Sequence, residues 1–178
     1  MNLITKSYFK KEGKEEEEEG QEYILYADGG ARGNPGIAAG GAVLWNHDQT
    51  KVIKEGSVFV GYNNTNNEAE YQGLLLGLEF TKNLSIKHLT IKMDSLLVVN
   101  QVNGKWAIRA PHLKPFHKKI VDYLKTLPNR YTLLHIPRKE NSYADHLCNE
   151  LMDEKQQEPR KEEEQKKPTS NNKIMKRE

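Results

Sequence analysis

Between residues 22 and 152 short runs of β-forming residues alternate with longer stretches that carry helical signals. Residues 23–27 (Tyr-Ile-Leu-Tyr-Ala), 40–45 and 52–60 read as three strands in succession. Asn46, His47, Asp48 and Gln49 between the last two have the composition of a hairpin turn. A long helix is expected from Thr65 to about Lys82. Leu89, Ile91 and Met93 then alternate on one face of a fourth strand. Helices are expected from Ser95 to about Val102, from Pro111 to about Thr126, and over residues 142–152. Pro111 suits a first helical turn. Residues 131–136 form the fifth strand. Three strands joined by short connections make an antiparallel meander, whereas strands separated by helices can run parallel through crossovers. The order therefore predicts an α/β fold: a mixed five-stranded sheet, three strands antiparallel and two parallel, flanked by helices.

Composition narrows this to one folded unit within the 178 residues. Residues 1–21 contain Glu12 and an unbroken glutamate run at 15–19, and residues 153–178 are dominated by Lys, Glu, Gln and Asn. Both ends read as disordered, solvated tails, acidic at the start and mixed in charge at the end. The intervening residues 22–152 hold 15 basic and 12 acidic side chains, a net charge of +3. If several of those acids gather in one site, the remaining surface is basic and suits a polyanionic partner. Cys148 is the single cysteine, which excludes an internal disulfide and fits a reducing, cytoplasmic compartment. No apolar stretch reaches membrane-spanning length, so no membrane association is expected.

Four acids stand out by context. Asp28 ends the first strand, Glu70 lies just inside the long helix, Asp94 ends the fourth strand, and Asp145 opens the last helix. Each has an ordinary explanation. Asp28 before Gly29 could be a turn residue, and Asp94 before Ser95 a strand-to-helix corner. Asp145 could complete a capping box with Ser142 and favour the helix dipole. Glu70 could be an exposed helix glutamate. Thr65-Asn66-Asn67-Glu68, however, is itself a capping box, which gives Glu68 a structural task and leaves Glu70 free. Glu70, Gly73 and Gly77 share one helical stripe. Glycines cost helix propensity, so close approach of that helix to the sheet is the expected reason for them.

Two further segments carry chemistry. Residues 29–36 (Gly-Gly-Ala-Arg-Gly-Asn-Pro-Gly) contain neither a dinucleotide fingerprint nor a Walker lysine. They read as a loop with little side-chain bulk, able to accept a sugar-phosphate backbone. Between Asp94 and Asp122 there is no acid. That stretch holds Lys105, Arg109, Lys114, Lys118 and Lys119, with Trp106, His112, Phe116 and His117 interleaved. Such a mixture suits phosphate contacts and ring packing on sugars or bases, although Trp106 and Phe116 could equally be core.

Four motifs in order, Tyr26-Ala27-Asp28-Gly29-Gly30-Ala31-Arg32-Gly33-Asn34-Pro35-Gly36, Thr65-Asn66-Asn67-Glu68-Ala69-Glu70, Met93-Asp94-Ser95 and Asn141-Ser142-Tyr143-Ala144-Asp145, closely resemble type 1 ribonuclease H. The resemblance covers about residues 22–152. It implies an endonuclease that hydrolyses the RNA strand of RNA–DNA hybrids with two Mg2+ ions, Mn2+ being the alternative, and leaves 5′-phosphate and 3′-hydroxyl ends. It assigns the metal-binding, catalytic carboxylates to Asp28, Glu70, Asp94 and Asp145. Hybrid contacts fall on Gly29, Gly30, Asn34, Asn66 and Asn67, with Ser95 a further candidate and Lys105, Arg109 and Lys114 from the basic stretch. His135 stands where many members carry a loop histidine, but His135-Ile136-Pro137 reads as a strand end. That points to the compact archaeal-like and plant-like subgroup, without that histidine and without an N-terminal hybrid-binding domain, acting as a monomer. The alternatives are a non-catalytic hybrid- or RNA-binding module on the same fold, and a domain derived from a reverse-transcriptase-type polyprotein.

Overall fold

The structure, a computed structural model, describes residues 20–166, with side chains through residue 158. The expected tails therefore lie outside the described residues over 1–19 and 167–178. Strands β1 (Gln21–Gly33), β2 (Gly36–Asn46) and β3 (Val52–Asn64) are followed by helix α1 (Asn66–Glu79). Strand β4 (Ile86–Met93), helices α2 (Leu96–Val102) and α3 (Lys114–Leu124), strand β5 (Tyr131–His135) and helix α4 (Ser142–Lys166) follow within the described residues. The sheet order is β3-β2-β1-β4-β5. β1, β2 and β3 pair antiparallel, and β4 and β5 extend the sheet in parallel. The mixed five-stranded sheet is the one the hydrophobic pattern predicts. Among the described residues no helix is long and apolar enough to cross a membrane.

The two faces of the sheet differ in depth. Leu25, Leu44, Leu89, Ile91 and Met93 build the main core with Leu74, Leu78, Val98 and Ile120 from the helices. The face under α4 is thin, with Ala39, Cys148 and Met152 fully packed. Small residues let both helices come close. A Cβ on Gly40 would sit 2.6 Å from the Gly73 backbone nitrogen, and one on Gly41 would sit 2.7 Å from the Ala144 carbonyl oxygen. Successive strand residues point to opposite faces, so this pair of glycines seats α1 on one side and α4 on the other.

Two expectations need correction. Residues 29–36 are not an open loop. β1 continues to Gly33 and β2 starts at Gly36, so the segment is a hairpin arm in register from Asp28↔Gly41 to Gly33↔Gly36. Glycine disguises the strand because it lowers strand propensity, yet its missing side chain is what the helix crossing requires. A Cβ on Gly29 would overlap the Ala69 backbone of α1, and one on Gly73 would overlap the Asp28 carbonyl oxygen. The last helix also does not stop at Met152 but runs through Lys166. Residues beyond 152 are mostly good helix formers. Asp153 is held by Arg32, and Lys155 lies 5.2 Å over the Phe59 ring and pairs with Glu158.

Candidate active site

Asp28 sits within β1. Asp94 follows the end of β4, the parallel neighbour of β1, whose last paired position with it is Tyr26↔Lys92. Glu70 lies near the start of α1 and Asp145 in the first turn of α4. The middle of β1, the end of β4 and the starts of α1 and α4 thus meet, and one cavity of about 340 Å3 is lined by all four carboxylates together with Asn66, Arg32, Arg138 and Asn149. The start of α1 is fixed by the expected capping box. The Glu68 amide donates to Thr65 Oγ1 (3.3 Å), and the Thr65 amide donates to Glu68 Oε2 (2.6 Å). That bond from Thr65 holds the Glu68 carboxyl below its usual pKa range. Glu68 is therefore committed to the cap, and Glu70 faces the cavity.

The electrostatics of the cavity are those of a site with too much negative charge. Burial, more than anything else, raises the Asp28 carboxyl to about 8. The Asp94 charge and a hydrogen bond with Asp94 add to this, and the Gly29 amide only partly opposes it. Glu70 is raised to about 7, again chiefly by burial, with the Asp94 charge adding and a hydrogen bond from Ser95 opposing. Either protons or cations must neutralise such a group of acids. Among the described residues no three acidic, histidine or cysteine side chains already surround one point closely enough to hold an ion. The set nevertheless fits hard divalent cations: the acidic donors are all oxygens, they line one polar cavity, and two of them are held partly protonated when no cation balances them.

Neutral side chains brace the acids. Asn141, directly before α4, donates through Nδ2 to the Ala27 carbonyl (2.9 Å) and to Asp94 Oδ1 (2.8 Å), which ties β1 to Asp94. Its Oδ1 is buried without a partner. The start of α4 differs from the Ser142 capping box considered above: Asn141 occupies the position before the helix, and its carbonyl accepts from the Asp145 amide (3.1 Å). Arg138, exposed, reaches 3.9 Å from Asp145 Oδ1. Arg138 and Asn149 were not singled out from sequence. Only the arrival of Arg138 at the cavity wall, and the one-turn offset of Asn149 from Asp145 on α4, give them meaning.

The residues expected to touch a ligand do not share one surface. Asn66 lines the acidic cavity and Asn34 is bound to it: the Asn66 backbone amide donates to Asn34 Oδ1 (3.1 Å), and the Ala31 backbone amide donates to Asn66 Oδ1 (2.8 Å). Their Nδ2 donors have no partner among the described residues and remain for a ligand acceptor. Asn67, Lys105 and Arg109 line a separate groove of about 550 Å3 beside the half-exposed Trp106. Phe116 instead packs against the core, Lys118 pairs with Asp122, and Lys114 begins α3 in the open. Gly29 and Gly30 line the acidic cavity, but the room at Gly29 is filled by α1 rather than left for a ligand. Ser95 is occupied within the protein. It is buried, caps α2 by accepting from the Val98 amide (3.2 Å) and serves Glu70, so its hydroxyl is spent inside the protein. His135 ends β5 as expected, with Nε2 3.2 Å from the Asp94 carbonyl oxygen.

Known proteins resemble this chain in sequence and in fold. A family model described as reverse transcriptase-like matches residues 26–151. Over 130 residues the chain is 40% identical to the bifunctional protein Rv2228c of Mycobacterium tuberculosis, covering 73% of this chain and 35% of that protein. The solved N-terminal RNase H domain of that protein superimposes with a TM-score of 0.73 at 37% identity, over 78% of this chain and 99% of the solved one. Ribonuclease HI of Halobacterium salinarum is 36% identical over 129 residues, 72% of this chain and 63% of that enzyme. LC11-RNase H1, solved in complex with an RNA/DNA hybrid, superimposes with a TM-score of 0.68 at 37% identity, over 74% of this chain and 97% of that one. The chain spans about a third of the length of the mycobacterial relative.

Proposed function

Because this chain belongs to the ribonuclease H family, in its type 1 branch, we propose that it hydrolyses the RNA strand of RNA–DNA hybrids and leaves 5′-phosphate and 3′-hydroxyl ends. The observation that carries this reading is the single cavity lined by Asp28, Glu70, Asp94 and Asp145, two of them pushed towards neutral pKa values. Two divalent cations, Mg2+ or Mn2+, held by these four carboxylates would supply the charge that activates a water and stabilises the leaving 3′ oxygen. The chain's own residues do the rest. Asp28 and Glu70 deprotonate as ligands and hold the deep side of the site. Asn141 fixes the Asp94 carboxylate relative to β1. Asn34, whose Oδ1 accepts from the Asn66 backbone amide, and Asn66, whose Oδ1 accepts from the Ala31 backbone amide, present side-chain N–H donors towards ribose 2′-hydroxyls, which accept as well as donate. Arg138 offers a mobile positive charge to the scissile phosphate at the mouth of an acidic cavity. The groove of Asn67, Lys105, Trp106 and Arg109 takes the DNA strand, with Lys114 adding charge further along. The protein acts as a cytoplasmic monomer in this reading.

The test is to give the full chain labelled RNA–DNA hybrid, duplex RNA, duplex DNA and single-stranded RNA, each with Mg2+ and with EDTA. Cleavage of the hybrid's RNA strand alone, abolished by EDTA, is expected. Equal cutting of duplex DNA would redirect the reading to another nuclease chemistry on the same fold. An intact hybrid would reduce it to a binding module.

A further inference from the structure

Asp145 is held at its carboxylate by a side chain of its own helix, backed by one from the hairpin arm. It lies in the first turn of α4 on the thinly packed face, and its side chain is about a third exposed. One helical turn on, Asn149 Nδ2 donates to the Asp145 carbonyl (3.0 Å) and to Asp145 Oδ2 (3.2 Å). On its other side Asn149 meets the hairpin arm. Arg32 Nη2 donates to Asn149 Oδ1 and to its backbone carbonyl, both at 3.4 Å. Arg32 is itself held by Asp153 Oδ1 (2.5 Å) and Gln156 Oε1 (2.7 Å), both on α4.

The chemistry of this chain of contacts allows one orientation. An asparagine amide presents an acceptor at one end and donors at the other. Turned as observed, it gives its donors to the carboxylate and its acceptor to the guanidinium. Flipped, it would set oxygen against the Asp145 carboxylate and N–H against Arg32. Arg32 thereby selects the orientation in which Asn149 supports Asp145. Because Asp153 balances its charge, Arg32 acts as an aimed donor rather than as a loose cation.

We propose that Arg32 and Asn149 form a positioning relay, running from the hairpin arm to α4, that aims the Asp145 carboxylate into the cavity and sets how tightly it holds a divalent cation. The inference rests on the reading of Asp145 as a metal ligand and adds two residues that act through it. Outer partners of this kind commonly change metal affinity by about 10- to 100-fold. The relay also joins the arm bearing Asn34, which would face the hybrid, to the carboxylate on the far helix.

Mn2+ binding to the metal-free full chain, measured by titration calorimetry, tests the relay without relying on catalysis. Asn149→Ala sits on a half-exposed helix position and retains helix propensity. It should weaken Mn2+ binding about tenfold and raise the Mg2+ concentration for half-maximal hybrid cleavage by a similar factor, with the KM for hybrid unchanged at saturating Mg2+. Arg32→Ala should give a smaller loss. Arg32→Lys keeps a charge opposite Asp153 but has no fork to reach Asn149 as well, and should match Arg32→Ala. The double variant should be no worse than Asn149→Ala, because Arg32 acts through Asn149. Additive losses, or unchanged Mn2+ binding in Asn149→Ala beside a clear loss in Asp145→Asn, would overturn the relay. Unchanged Mn2+ binding in Asp145→Asn would overturn the assignment of Asp145 beneath it.

Discussion

The two sides of the acidic cavity are built on opposite principles. On the side of β1 and α1, Asp28 and Glu70 are fixed by backbone: helix and strand approach so closely that only glycine fits at 29, 40 and 73, and burial pushes both carboxyls far above their ordinary range. On the side of α4, Asp145 is partly in solvent and is steadied by side chains, Asn149 and, behind it, Arg32. In the proposed reaction, a site that gathers charge and then releases product has reason to combine the two. The rigid side stores the unfavourable proximity of like charges, and the softer side can adjust as the charge around it changes.

The contrast can be broken most severely at its rigid centre. Asp28→Asn should lower Mg2+-dependent hybrid cleavage by about a thousandfold or more in a steady-state assay, since several kcal/mol of cation-borne stabilisation is lost. The circular dichroism spectrum should be unchanged, because a buried and mainly protonated acid has been replaced by a neutral amide of the same shape. Next in size is the packing that creates this side. Gly73→Ala puts a methyl into the Asp28 carbonyl oxygen and should cost about 3 kcal/mol in urea unfolding, with activity falling as α1 is pushed off β1. A mild loss would mean that the helix–strand approach is looser than described.

A pH series addresses the stored charge. Burial raises the carboxyls of Asp28 and Glu70 to about 8 and about 7 in the folded state, above their ordinary values of 3.8 and 4.5. Between those limits the folded state binds more protons than the unfolded state, so stability falls as pH rises. Metal-free protein should therefore lose a few degrees of Tm from about pH 4 to about pH 8, and saturating Mg2+ should remove most of the decline at the upper end. A metal-free Tm that rises across this window would remove the picture of an under-compensated site. The smallest effect expected is at Glu68. Glu68→Gln should cost about 1 kcal/mol of stability through the weakened cap, with kcat nearly unchanged. A large fall in kcat with intact stability would exchange the roles of Glu68 and Glu70.

The same division explains what could be read from the chain before its structure. The alternation at Leu89, Ile91 and Met93, the Thr65–Glu68 capping box and the Glu70–Gly73–Gly77 stripe are local signals, and each corresponds to what folds there. The rigid side of the site was legible because close packing leaves glycines in the sequence. The hairpin arm reads as a loop in the sequence because a glycine strand has little propensity of its own and becomes one only against α1. The helix beyond Met152 is hidden in the sequence because helix formers rich in charge look like a solvated tail until Arg32 and Phe59 give them something to hold. Ser95 reads as available in the sequence because a hydroxyl beside Asp94 carries no mark of burial. The Arg32–Asn149 contact spans 117 residues and rests on single polar atoms, with no periodicity to betray it.

The most direct test of convergence is anomalous diffraction from crystals of this protein soaked in Mn2+. The account predicts metal peaks inside the cavity, with Asp28 and Asp94 as ligands and Glu70 and Asp145 completing the set from either side. Well-ordered crystals with Mn2+ bound elsewhere and none among these four carboxylates would contradict it.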